Sequence, residues 1–204
     1  MNISTQTPLR NDAFALDDKE KIALISKHFE EIMNIMGLDL NDDSLKNTPN
    51  RVAKMFINEN FKGLNPANKP HVTLFENKYN YKQMVIEKEI SFYSNCEHHF
   101  VPFFGRAHIG YISSGLVVGL SKLNRIVDYY SKRPQVQERL TIQIANELMD
   151  ALKTDDVAVV MEAKHLCVSS RGIKDDTSLT TTSALFGRFL EANTRAEFIR
   201  LIGK

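Results

Sequence analysis

Four side chains able to bind a metal or move a proton stand together at Cys96-Glu97-His98-His99, and a second group, His165-Leu166-Cys167, lies far downstream. The chain of 204 residues has only 2 cysteines, and each has a histidine within three positions. Zinc suits thiolate and imidazole together, and catalytic zinc uses three protein ligands with a fourth position left to water. Cys96, His99 and Cys167 meet that requirement as the expected ligands. His98 and His165 are then left beside the metal for proton transfer, the work for which imidazole is suited near neutral pH. The spacing also allows a closed structural zinc with four ligands, or no metal and two small buried thiols. The histidines separate these readings, because a structural site has no use for them. Glu97 could orient a neighbouring histidine.

The elements that must position these groups can be read from periodicity. A helix is expected from Asp17, with Ile22, Ile25, Phe29, Ile32, Met33 and Met36 at helical spacing and Gly37 as its stop. A second is expected with Thr48 as N-cap and Pro49 at the first helical position, placing Arg51 and Lys54 on one face. Residues 63–70 read as a loop. Met84, Ile86, Ile90 and Phe92 alternate as a strand, broken at Lys88, and 106–112 reads as its antiparallel partner, with 94–104 as the connection. Ser121 is expected to cap a helix carrying Leu123, Ile126, Val127 and Tyr130, which Pro134 ends. Val136, Leu140, Ile144, Leu148 and Leu152 mark a longer helix. Strands are expected over 157–168 and 177–186, the first placing His165 and Cys167 on one face by alternation. A capping box, Thr194 to Glu197, is expected to open a last helix.

Strands and helices come in blocks, which predicts an α+β fold with an antiparallel sheet. The expected organisation is a flexible N-terminal arm over 1–16, a helical region over 17–62 and a catalytic α+β domain over 63–204. Composition is that of a folded soluble protein, 43% hydrophobic and 25% charged. A net charge of +1 supplies no global field for nucleic acid or an anionic membrane, so neither is an expected partner. No apolar stretch is long enough to span a bilayer, and the polar N-terminus does not read as a secretory signal; a cytoplasmic protein is expected.

At these residues the chain resembles the GTP cyclohydrolase I family. The resemblance runs through Asn47-Thr48-Pro49-Asn50-Arg51-Val52-Ala53-Lys54-Met55, Cys96-Glu97-His98-His99-Phe100 and Gly119-Leu120-Ser121-Lys122-Leu123-Asn124-Arg125. It continues through Arg133-Pro134-Gln135-Val136-Gln137-Glu138-Arg139-Leu140-Thr141, His165-Leu166-Cys167-Val168 with Arg171-Gly172-Ile173, and Asn193-Thr194-Arg195. Leu166 departs from the aromatic that many relatives carry, and Ser169-Ser170 from the basic residue of some. The resemblance implies a tunnelling fold, an antiparallel sheet with helices packed on one side, assembled as a pentameric barrel, two of which form a homodecamer with sites at subunit contacts. It also implies zinc-dependent opening of the guanine ring of GTP at C8, release of formate and rearrangement to 7,8-dihydroneopterin triphosphate.

The same match assigns roles. His98 and His165 would be acid–base residues, and Ser121 a hydroxyl that assists the sugar rearrangement, although a serine before a helix is ordinarily only a cap. Glu138 would accept the adjacent guanine N–H donors in a fork, with Gln137 beside it; the plain alternative is a solvated glutamate suited to a helix N-terminus. Lys122, Arg125, Arg171, Arg51 and Lys54 would bind the triphosphate, Arg as a bidentate fork and Lys as a point charge. Taken singly, each of these cations reads as a solvated surface residue, as most Lys and Arg are.

Overall fold

In a computed structural model describing residues 6–203, two long antiparallel strands joined by the turn 97–101 form the centre of the chain. In order, the elements are α1 (Asp18–Ile35), α2 (Thr48–Met55), β1 (Leu74–Glu76), β2 (Met84–Cys96), β3 (Pro102–Ile112), β4 (Leu116–Val118), α3 (Leu120–Ser131), β5 (Pro134–Gln135), α4 (Gln137–Leu152), β6 (Val157–His165), α5 (Leu166–Ser169), β7 (Thr180–Leu185) and α6 (Ala192–Ile202). The main sheet has the order β5-β2-β3-β6-β7, antiparallel except where β5 lies parallel to the end of β2, and β1 pairs separately with β4. Of the arm expected over 1–16, residues 1–5 lie outside the described chain; most of 6–16 is exposed.

Alternation sorts the sheet's two faces. Phe92, Phe103, Ala107, Ile109, Val157, Val159 and Met161 point to the side covered by α3 and α4, whose Leu123, Ile126, Leu140, Ile144, Leu148 and Leu152 are fully buried. Burying each large aliphatic side chain contributes roughly 1.5–3 kcal/mol, so this layer dominates the fold's stability. The intervening residues Ala158 and Val160 face the other way, where α6 covers them with Phe198 and Ile202. Helices thus lie on one face along most of the sheet, and α6 adds a small second layer behind it.

Several boundaries differ from expectation for physical reasons. The strand pairing runs on to Asn95 and Pro102, so the connection shrinks from 94–104 to the turn 97–101, and Cys96 ends a strand instead of sitting in a loop. The break at Lys88 is a β-bulge: the register shifts between Glu87 and Ile90, and Glu89 adopts φ 61°. Ser121 is not the cap of α3; Gly119 occupies that position and Ser121 lies inside the first turn. Asn47, not Thr48, precedes α2. The final helix begins before Thr194, with Glu191 at its cap position, so the expected capping box is absent. Most consequentially, β6 ends at His165 and the chain turns helical at Leu166, so Cys167 sits on α5 and not on a strand.

Residues 63–70, expected as a loop, form two short 3-10 turns. Gly63 is needed there: its N–H donates to the Lys132 carbonyl, and a Cβ would sit 2.0 Å from the Tyr129 carbonyl oxygen. The close approach seats this segment on the end of α3, next to the strand that carries Cys96. No described helix is long and apolar enough to cross a membrane.

Candidate metal centre and active site

The turn 97–101 is held shut by the backbone. Cys96 N–H donates to the Val101 carbonyl at 2.9 Å, and the His99 and Phe100 N–H groups donate back to the Cys96 carbonyl. Phe100 is forced to φ 53°, a left-handed conformation costing a residue with a Cβ on the order of 1 kcal/mol. Its ring offsets that by packing on Phe61 at 5.1 Å and edge-on to Phe56 at 6.2 Å. Phe56 opens the π-helical turn Phe56–Asn60 that continues α2, so the ligand turn is braced from a remote part of the sequence.

The same end of the sheet receives β6. His165 pairs with Phe103, and their rings stack at 4.6 Å with an interplanar angle of 3°. One step on, α5 delivers Cys167. The sulfur atoms of Cys96 and Cys167 and one ring nitrogen of His99 all lie within 4.8 Å of one another. That convergence, from two sequence-distant segments, gives a soft donor set for a zinc-like ion with tetrahedral preference. Burial pushes the Cys167 thiol above its ordinary range, and the adjacent Cys96 thiol pushes it further. A thiol that resists ionisation beside a second sulfur is what a bound cation relieves, so the residues present fit the metal.

His98 and His165 both stand beside this group, in contrasting settings. His98 is largely exposed, with Nδ1 3.6 Å from the Cys96 sulfur and Nε2 3.9 Å from a Glu97 oxygen. His165 is half-buried; burial lowers its pKa, while the negative charge of Glu138 acts in the opposite direction. Arg171 reaches the site as well, with Nη1 3.1 Å from His99 Nε2 and 3.4 Å from the Cys167 carbonyl.

The remaining candidates divide. Glu138 is exposed at the first turn of α4, close enough to His165 for its charge to be felt. Gln137, expected at the substrate, is instead 2% exposed, and its amide bonds to His165 at 2.8 Å. Arg51 and Lys54 are exposed on α2, within about two helical turns of Phe56. Ser121, Lys122 and Arg125 are not brought to the cluster. β3 has 11 residues and so spans roughly 33 Å, with the ligand turn at its Pro102 end. α3 begins beyond the opposite end and returns towards Pro134, leaving Ser121 some 15 Å up the helix from Ser131 at about 1.5 Å per residue. Arg125 lines a separate cleft with Asp18, Lys62 and Asp128.

Arg139 and Phe103 escaped the sequence reading. Arg139 donates Nη2 to the Glu97 carboxylate and to the Pro134 carbonyl, and Nε to Gln135. Glu97 is thus held chiefly by an arginine, with the His98 ring as a more distant contact at 3.9 Å. The signal that could have found it is a basic residue in the first turn of a helix otherwise aimed at the core.

Known proteins resemble this chain over nearly its whole length. The chain is 58% identical over 199 residues to GTP cyclohydrolase 1 of Flavobacterium johnsoniae, covering 98% of this chain and 89% of that one. It is 50% identical to the proteins of that name from Enterobacter and Salmonella gallinarum, covering 97% of this chain and 89% of each. The family model described as GTP cyclohydrolase I matches residues 25–203, a span that takes in every strand, both cysteines and all the helices from α2 onward. With two thiols and an imidazole gathered beside two further histidines, and relatives aligned across nearly its whole length, this chain belongs to the GTP cyclohydrolase I family of enzymes.

Proposed function

We propose that this chain converts GTP and water to formate and 7,8-dihydroneopterin triphosphate, using a zinc ion held by Cys96, His99 and Cys167. The observation that carries the reading is the convergence of these three ligand atoms within 4.8 Å, with His98 and His165 next to them and outside the donor set. When bound there, zinc supplies a nucleophile at neutral pH by lowering the pKa of coordinated water to about 7.

The protein's own groups do the rest. As C8 of guanine becomes tetrahedral, N7 must gain a proton, and His98 or His165 delivers it and recovers it. Glu138 accepts the N1 and N2 protons of guanine in a fork, which selects this base. Arg171 stands at the metal cluster and takes triphosphate oxygens, joined by Arg51 and Lys54. Ser121, Lys122 and Arg125 serve a site on another copy of the chain, because along their own chain they lie towards the far end of the sheet. Ser121 assists the ribose rearrangement there.

This sharing fits an assembly. Among the described residues, the outer edge of β2 before Asn95 and the outer edge of β7 have no neighbouring strand. Open edges call for partners, and pairing them around a ring closes the barrel of the tunnelling fold. We assign five chains to each ring, two rings to the decamer, and a cytoplasmic location where both thiols stay reduced. The test is direct: purified zinc-loaded protein incubated with GTP should release formate and yield a fluorescent pterin after oxidation. Intact GTP at full zinc occupancy would reject the reading.

A further inference from the structure

Gln137 is buried, yet every polar atom of its amide is engaged. Its Nε2 donates to the Thr180 carbonyl at 2.9 Å and the Met161 carbonyl at 3.2 Å, and lies 3.1 Å from Thr182 Oγ1. Carbonyl oxygens only accept, so the nitrogen of the amide must face β6 and β7, and the oxygen must face away. The neighbouring hydroxyls agree. Thr141 spends its proton on the Gln137 carbonyl at 2.7 Å, so in the 2.7 Å contact between Thr141 and Thr182 the donor is Thr182. Thr182 Oγ1 is then an acceptor towards Gln137. The two amide protons are shared among three acceptors, and every one of these contacts requires the nitrogen on this side.

Gln137 Oε1 therefore carries no proton, and it lies 2.8 Å from His165 Nε2. That nitrogen must be the protonated one. We infer that Gln137 is a positioning residue that fixes His165 as the Nε2–H tautomer, with Phe103 stacked beneath it, so that Nδ1 is the atom through which His165 exchanges protons. A proton accepted at Nδ1 and returned from Nδ1 leaves the Nε2–H bond to Gln137 intact throughout. A neutral amide holds the ring in place without adding a charge to the site, which a carboxylate in this position would do. The inference rests on the proposed catalytic role of His165 and gives that role a specific nitrogen.

The experiment reads the tautomer itself. In zinc-loaded enzyme with 15N-labelled histidine, observed at about pH 8 where an ordinary histidine is neutral, the His165 ring should show a protonated Nε2 and a bare Nδ1. The signal is assigned by its loss in His165→Asn. Gln137→Met, similar in size but without an acceptor, should give a mixture of tautomers. It should also lower kcat roughly 10- to 100-fold while KM for GTP and zinc content stay near the native values. A native ring protonated at Nδ1, or Gln137→Met with native kcat, overturns the inference. If Gln137→Met does not fold, the native spectrum decides alone. Because that spectrum is taken without substrate, a failure to turn over GTP rejects the proposed activity separately.

Discussion

The guanidinium of Arg139 closes on the carboxylate of Glu97, joining the first turn of α4 to the residue between Cys96 and His98. The pair is largely sheltered, with side-chain exposures of 14% and 27%. Arg139 also holds the Pro134 carbonyl and Gln135, which lie beside Asn95 and Cys96 in the sheet. One side chain therefore fixes the flank of the turn on which Cys96 and Glu97 stand. The metal centre borrows its rigidity from a helix that contributes no ligand.

Removing that side chain should loosen the metal before it unfolds the protein. Arg139→Met is expected to weaken zinc binding roughly 10- to 100-fold, as loss of groups that orient metal ligands does elsewhere. It should cost about 1–3 kcal/mol of stability through the orphaned Glu97 carboxylate. Competition with a chromogenic chelator measures the first and urea unfolding the second. Unchanged zinc affinity would mean that the backbone bonds of the turn suffice.

Glu138 tests base recognition. It is exposed at the start of α4, so Glu138→Gln should leave folding almost untouched. Loss of a charged acceptor for two guanine N–H groups should cost about 1.5–3 kcal/mol, or roughly 10- to 150-fold in kcat/KM for GTP. Steady-state kinetics at saturating zinc would show it. An equal loss of thermal stability would assign Glu138 to the fold instead.

A pH effect should arise away from the metal. Burial raises the Tyr130 phenol above its ordinary pKa near 10, and its 2.7 Å bond to Glu147, which also pairs with Lys69, raises it further. The folded protein therefore holds this proton more tightly than the unfolded chain. The resulting stabilisation is complete below about pH 10 and is lost as the pH rises through the raised folded value. Tyr130→Phe should lose about 1 kcal/mol at neutral pH and decline less steeply above pH 10. Urea midpoints across that range would settle the sign.

The grouping of Cys96, His99 and Cys167 was legible because metal chemistry restricts its donors to few residue types, and the chain has only 2 cysteines. The geometry that joins them was not. Alternation suggested that His165 and Cys167 share a strand face, whereas a change of backbone conformation at Leu166 turns Cys167 onto a short helix. Helices α3 and α4 announced themselves through apolar residues at near-four spacing, since their buried faces obey a period. Gln137 could not be read this way. A buried glutamine and an exposed one look alike until the carbonyls of Met161 and Thr180, neither close in sequence, are seen to claim its nitrogen. Bulges and caps failed for a similar reason: the Glu89 N–H meets His108 on the neighbouring strand, and the Gly119 N–H donates to the Thr73 carbonyl, contacts that no local pattern announces.

Each active site should draw its residues from more than one chain. Cys96, His99, Cys167, His165 and Arg171 meet at one end of the sheet, while Ser121, Lys122 and Arg125 lie along α3, whose N-terminus is beyond the other. If both groups act on one GTP, they come from different copies. Arg125→Ala and His165→Ala should each be inactive alone. Co-expressed at equal levels, they should form mixed oligomers in which some sites receive His165 from one chain and Arg125 from another. Random assembly predicts about a quarter of native activity from a site shared by two chains. A site built within one chain predicts none, because every chain then carries one lesion. Formate release from the purified mixture, with each variant alone as control, separates the two outcomes. The same measurement with Arg51→Ala in place of Arg125→Ala would tell whether α2, braced against the ligand turn through Phe56 and Phe100, serves its own site or a neighbour's.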